Sequence, residues 1–215
     1  MAYKIGQSVL GKPLETFIYG EGSSCIHFYG GVHGDEPEGV DLAWQLKKYL
    51  DQNISNYPHQ KIIVVPNCNP DGFEKNKRVN ARGIDLNRNF PTQDWTPRHT
   101  ELKYNPGKTA GSEPEVQALI HLMETHPPKT IVSFHSLIPH QINYDGPARA
   151  LAHEMAQKNG YPVTDHIGYP TPGSLGSYAG KERKIAVITF ELPEKINPKK
   201  AWEDALGAID IAIFA

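Results

Sequence analysis

The sequence predicts an α/β domain: a mixed, largely parallel twisted sheet flanked by helices. Two observations carry this. Apolar runs of strand length alternate with segments of helical periodicity, and the polar clusters fall immediately after the apolar runs, where open α/β sheets bind their ligands. The length of 215 residues lies in the range of one domain, so a single unit over residues 1–215 is expected.

The first βαβ unit reads from the strand Cys25 to Tyr29, through a helix from about Glu38 to Leu50, to the strand Lys61 to Val65. A second helix is expected from Ser112-Glu113-Pro114-Glu115 to about Glu124. Ser112 and Glu115 have the spacing of a capping box, and Pro114 falls in the first turn, where its missing N–H matters little. A strand at Thr130 to Phe134, a helix near Ala148 to Lys158, a strand at Ile185 to Phe190 and a helix after Asn197-Pro198 complete the pattern. Between Asp71 and Ser112 there is little periodicity and much Asn, Arg, Gly and Pro. A long irregular segment inside a compact domain is usually functional.

Composition narrows the function classes. A formal net charge of -2 lacks the basic excess that binding to nucleic acid requires. The first residues show no basic segment followed by an apolar run, and no stretch approaches membrane-spanning length, so a cytoplasmic protein without membrane attachment is expected. Cys25 and Cys68 are too few for a disulfide framework or a cysteine metal site and read as free thiols.

Four polar clusters follow strands: His33 with Glu36, Asn69-Pro70-Asp71-Gly72, His135, and Glu191. All four are expected to share one crevice. His33 and Glu36 stand three residues apart in a turn that leads into a helix, so both can face one ion; alone, the pattern more often marks a surface ion pair or a helix start. The tight glycine turn and a third candidate ligand at another strand end reverse this. With His135 they form a two-histidine, one-glutamate set of the kind found in catalytic zinc sites that keep a position open, although the ligand types also suit other divalent ions. Glu191, after an apolar strand, is placed to act as general base; the alternative is a salt-bridged glutamate at a strand edge. The segment Arg78 to Phe90 concentrates guanidinium and amide groups able to hold a carboxylate, or forms a solvated basic loop.

Taken together, His33-x-x-Glu36, Asn69-Pro70-Asp71-Gly72, Asp85-Leu86-Asn87-Arg88-Asn89-Phe90, Ser133-Phe134-His135-Ser136 and Thr189-Phe190-Glu191-Leu192 resemble the zinc carboxypeptidase family, in the family's order and over nearly the whole chain. The resemblance implies a short carboxypeptidase-like fold and one Zn2+ per chain on His33, Glu36 and His135. It further implies that Glu191 is the base, that Arg78 polarises the scissile carbonyl, and that Asn87 and Arg88 clamp the free carboxylate of a small peptide. Tyr169 is similar in position to the family's mobile tyrosine, with Tyr178 and Tyr144 as the other candidates.

Within the family, Gly111 to Glu115, Val132 to His135 and above all Gly168-Tyr169-Pro170-Thr171-Pro172-Gly173-Ser174-Leu175-Gly176-Ser177 look like the murein tripeptide amidase branch. That branch cleaves the γ-D-glutamyl–meso-diaminopimelate bond of recycled cell-wall peptides. The D-centre of diaminopimelate also needs partners; His140, Gln141 and Asp145 lie soon after His135, and the sequence assigns none of them. Other readings are a carboxypeptidase of different peptide specificity, a metal-dependent acylase of N-acyl amino acids similar to aspartoacylase and succinylglutamate desuccinylase, and a binding module without catalysis.

Overall fold

The computed structural model describes residues 2–215. Eight strands form one sheet: β1 (Ala2–Gln7), β2 (Pro13–Tyr19), β3 (Ser24–Gly30), β4 (Gln60–Val65), β5 (Thr130–Ser136), β6 (Gln141–Asp145), β7 (Val163–Thr164) and β8 (Ala186–Leu192). Their order is β1-β2-β4-β3-β5-β8-β6-β7. The four central strands, β4, β3, β5 and β8, run parallel, while β2 and β6 join them antiparallel. The helices are α1 (Pro37–Asn53), α2 (Pro70–Glu74), α3 (Pro114–Thr125), α4 (Arg149–Asn159) and α5 (Pro198–Phe214), with a wide π-helical segment at Gly176–Glu182. Among the described residues, no helix is long and apolar enough to cross a membrane.

Alternation along the strands sorts side chains into two cores. On β3, Ile26 and Phe28 belong to the core that α1, α4 and α5 also fill, whereas Cys25 and Tyr29 belong to the one filled by α3 and the Leu86–Phe90 loop. Leu42, Leu46 and Leu50 recur every fourth residue of α1 and are fully buried, so this helix is held by one apolar stripe. Removing one of these side chains is expected to destabilise the fold by about 2–5 kcal/mol. Both cysteines are free and buried.

Several expectations need correction. No capping box forms at α3: Glu113 is its N-cap, the Ser112 hydroxyl donates to Glu113 Oε1 at 2.8 Å, and the Glu115 carboxylate accepts from Val9 N and Asn80. Long-range partners for the carboxylates outweigh the local cap. The last two parallel strands also run past their apolar stretches, because His135 and Glu191 pair with each other across β5 and β8. At the C-terminal helix the local signal suffices, with the Asn197 side chain accepting from the backbone of Lys199 and Lys200.

The chain path sets the site. β3 is linked through α1 to β4 on one side, and the chain then crosses through α3 to β5 on the other side of β3. The carboxyl ends of β3 and β5 therefore flank a topological switch point, where the diverging connections leave a crevice.

Candidate active site

His33 lies just past β3 and Glu36 is the N-cap of α1, with Pro37 starting the helix. Gly34 lets this turn sit tight, since a side chain there would overlap the backbone of Gly72 and Phe73. His135 points from the same crevice near the end of β5. The Nδ1 atoms of His33 and His135 are 3.1 Å apart, and each lies 2.7 Å from one oxygen of Glu36. The ligand atoms of the three residues all fall within 4.8 Å of one another.

The Glu36 carboxylate also accepts from Arg78 Nη1 at 3.4 Å and from Ser136 N at 3.3 Å, which hold it in the crevice. His33 Nε2 meets Asp85 Oδ1 at 3.2 Å, which favours its proton on Nε2 and leaves Nδ1 free for an ion. Two imidazoles and a carboxylate converging on one point suit a zinc ion. Burial pushes the Glu36 carboxyl up, but His33 and His135 outweigh it and hold the group well below the usual range. Burial and Arg78 lower the His33 imidazole, and Glu36 and Asp85 reverse this, so its pKa is raised. Asp85 is also drawn down by Arg78, whose Nε donates to Oδ2 at 3.0 Å, against the effect of burial.

Glu191, on β8 opposite His135, is buried and lines the same cleft. Burial, aided by Glu36, pushes its carboxyl up to about 7, against the pull of His135 and Arg78. The cleft measures about 490 Å³ and is also lined by Arg78, Asn87, Arg88 and Tyr169. The Asn87 Oδ1 accepts from Leu175 N at 2.8 Å, and Arg88 Nη1 donates to the Asn87 carbonyl at 2.6 Å. The Arg88 guanidinium faces the rings of Tyr104 and Tyr169 at 5.5 and 5.9 Å.

Of the tyrosines, Tyr169 stands at the cleft with 38% exposure. Tyr178 is buried with Arg183 stacked on its ring, and Tyr144 packs against the core. The Asn69–Gly72 cluster does not reach the crevice. It lies behind it, Asn69 donating to the Arg78 carbonyl and so holding the loop that carries the guanidinium. Asn80 and Arg82 likewise turn away, toward Glu113. Two residues support the site without lining the cleft: Asp85, behind His33 and Arg78, which the sequence shows only as part of the loop motif, and Tyr104, against Arg78 and Arg88, for which the sequence carries no signal.

The geometry agrees with the comparisons to known proteins. The zinc carboxypeptidase family profile matches residues 1–145, which include all three candidate ligands, Arg78, Asn87 and Arg88. The chain belongs to the zinc carboxypeptidase family. As a carboxypeptidase relative it is a zinc peptide hydrolase. It is similar to murein peptide amidase A of Vibrio campbellii, 36% identical over 87% of this chain and 77% of the relative. The Escherichia coli K12 protein of the same name is 34% identical, over 95% and 86%. The crystal structure of a murein-tripeptide amidase from Escherichia coli O157 superposes with a TM-score of 0.79 at 30% identity, covering 98% of this chain and 90% of that one. Bovine thrombin-activatable fibrinolysis inhibitor, at 19% identity, shares the fold with a TM-score of 0.84 over the whole of this chain and 89% of its own.

Proposed function

We propose that this protein is a zinc-dependent amidase that hydrolyses the γ-D-glutamyl–meso-diaminopimelate bond of murein tripeptide, with residues 1–215 acting as one catalytic domain. The observation that carries this reading is the convergence of His33, Glu36 and His135 in one cleft with Glu191 and Arg88. The similarity to murein peptide amidases supports the choice of substrate, and the matched family gives no support to the acylase reading.

One Zn2+ on His33, Glu36 and His135 supplies Lewis acidity at the reacting centre. The chain supplies the rest. Glu191 accepts the proton of the attacking water and returns it to the leaving amine, a task suited to a carboxylate whose proton affinity burial has raised. Arg78 donates to the carbonyl oxygen as its charge grows, and Asp85 fixes the guanidinium through Nε. Asn87 and Arg88 hold the free carboxylate of the terminal residue, and Tyr169 covers it. A role in cytoplasmic peptide recycling accords with this substrate.

The test is incubation of the zinc-loaded protein with L-Ala-γ-D-Glu-meso-diaminopimelate, with and without a chelator. Chelator-sensitive release of diaminopimelate is expected, and far slower release from the C-terminal amide. Faster turnover of an N-acyl amino acid than of the tripeptide would overturn the reading.

A further inference from the structure

Strand register divides the cleft into a reacting end and a far end. On β6, Asn143 and Asp145 line the cleft, whereas Ile142 and Tyr144 pack on the core. Gln141 is paired with Glu191, Asn143 with Thr189, and Asp145 with Val187. Asp145 therefore lies roughly 13 Å along the strand from the level of Glu191. Between them the floor is made of small polar groups: Ser133, Asn143 and Thr189. The buried Ser133 hydroxyl has no hydrogen-bond partner among the described residues.

The far end carries both signs of charge. Lys181 Nζ stands 3.4 Å from Asp145 Oδ1, and both side chains line the cleft. Lys181 belongs to the π-helical segment, whose glycines make room for the carboxylate. A side chain at Gly176 would overlap Asp145 Oδ2, and one at Gly180 would overlap its Cβ. Asp145 is mostly covered and Lys181 is more than half exposed, so the pair by itself stabilises the fold little. Burial raises the Asp145 carboxyl, and Lys181 offsets this only in part, so a second cation at Asp145 is favoured.

We propose that Asp145 and Lys181 form a specificity subsite for a zwitterion at the far end of the released residue, Asp145 binding its ammonium and Lys181 its carboxylate. The inference rests on the peptidase reading above and deepens it by naming how the D-centre is recognised. The reach fits. Three methylenes between two amino-acid centres put the far ammonium about 7 Å from the cleaved nitrogen. A charged hydrogen bond adds about 3 Å, and the Asp145 side chain spans the remainder. L-Lysine has the same chain and the same terminal ammonium but no carboxylate beside it. Asp145 would accept that ammonium, and Lys181 would repel it with nothing to compensate. Discrimination between the two residues thus falls to Lys181, and grip on either falls to Asp145.

The experiment compares zinc-loaded wild type, Lys181→Met and Asp145→Asn on L-Ala-γ-D-Glu-meso-diaminopimelate and on L-Ala-γ-D-Glu-L-Lys. Calorimetric binding of free meso-diaminopimelate to the same proteins is measured alongside. Wild type should favour the diaminopimelate peptide. Lys181→Met should shrink that preference by about tenfold or more, and Asp145→Asn should raise KM for both peptides about tenfold to a hundredfold with a smaller change in kcat. Binding of the free product should weaken in both variants. If both variants hydrolyse the peptides with the wild-type preference and wild-type KM, the subsite is refuted while the peptidase reading stands. If wild type cuts neither peptide, the peptidase reading falls and the subsite with it.

Discussion

Two buried polar clusters meet the same irregular loop, one through Arg78 and Asp85 and the other through Asn80 and Arg82, and they are built to opposite ends. In one, His33, Glu36 and His135 bring their ligand atoms within 4.8 Å of one another on a cleft, with Arg78 Nη1 at 3.4 Å from Glu36. In the other, behind the loop, Glu113 and Glu115 are just as buried, yet each of their oxygens has a donor. Ser112 Oγ and Asn80 Nδ2 serve Glu113, and Val9 N and Asn80 Nδ2 serve Glu115. Arg82 adds a cation at 3.5 Å. Buried charge by itself therefore does not mark a site here. Two imidazoles and a carboxylate brought together on one cleft do, because that donor set is the one a divalent cation such as zinc takes.

The largest effect expected from this contrast is on activity. Glu191→Gln should lower kcat by about a thousandfold while the protein still binds one zinc per chain; His135→Ala should lose both, as measured by peptide hydrolysis with elemental analysis. If Glu191→Gln abolished zinc binding, Glu191 would belong with the ligands rather than the base. In the satisfied cluster the signature reverses. Asn80→Ala leaves two carboxylates short of a donor and should cost about 2 kcal/mol or more in urea unfolding, with zinc stoichiometry unchanged.

A third buried ionisable group, outside both clusters, gives a pH test. His27 is fully buried with only Tyr29 Oη on its Nδ1, and burial drives its pKa from about 6.5 down to about 3. The unfolded chain then binds a proton that the folded chain refuses. Stability contributed by the neutral ring is complete above pH 6.5 and is lost as pH falls toward 3; at pH 5 the loss is about 2 kcal/mol. His27→Gln should flatten that part of the stability–pH curve. The smallest effect belongs to Ser112→Ala, about 1 kcal/mol, since Glu113 keeps Asn80 and Arg82. A loss restricted to fraying of α3 would instead revive a capping role for Ser112.

What could be read without the structure follows a physical line. β3, β4, β5 and β8 are covered on both faces, so their apolar runs stand out in the sequence. β6 sits beside β8, yet it reads Gln-Ile-Asn-Tyr-Asp, because alternate residues face the cleft rather than a core. Its function hides it. The N-terminal pair β1 and β2 lies at the sheet edge, with partly exposed side chains and no continuous apolar signal.

The sequence by itself determined the α/β class, the family, and the local units of the site: His33-x-x-Glu36, the Arg78–Phe90 loop, and His135 and Glu191 near strand ends. Residue type and short spacing are local properties, and they survive without knowledge of the fold. Only the tertiary structure decided which of these units meet. It drew Asp85 behind His33 and Arg78, sent Asn80 and Arg82 to the opposite cluster, and set Tyr104 against Arg88. It also brought Asp145 and Lys181 together from separate elements. Such pairings depend on strand order and register, which couple residues far apart in the chain and leave no periodic trace in it.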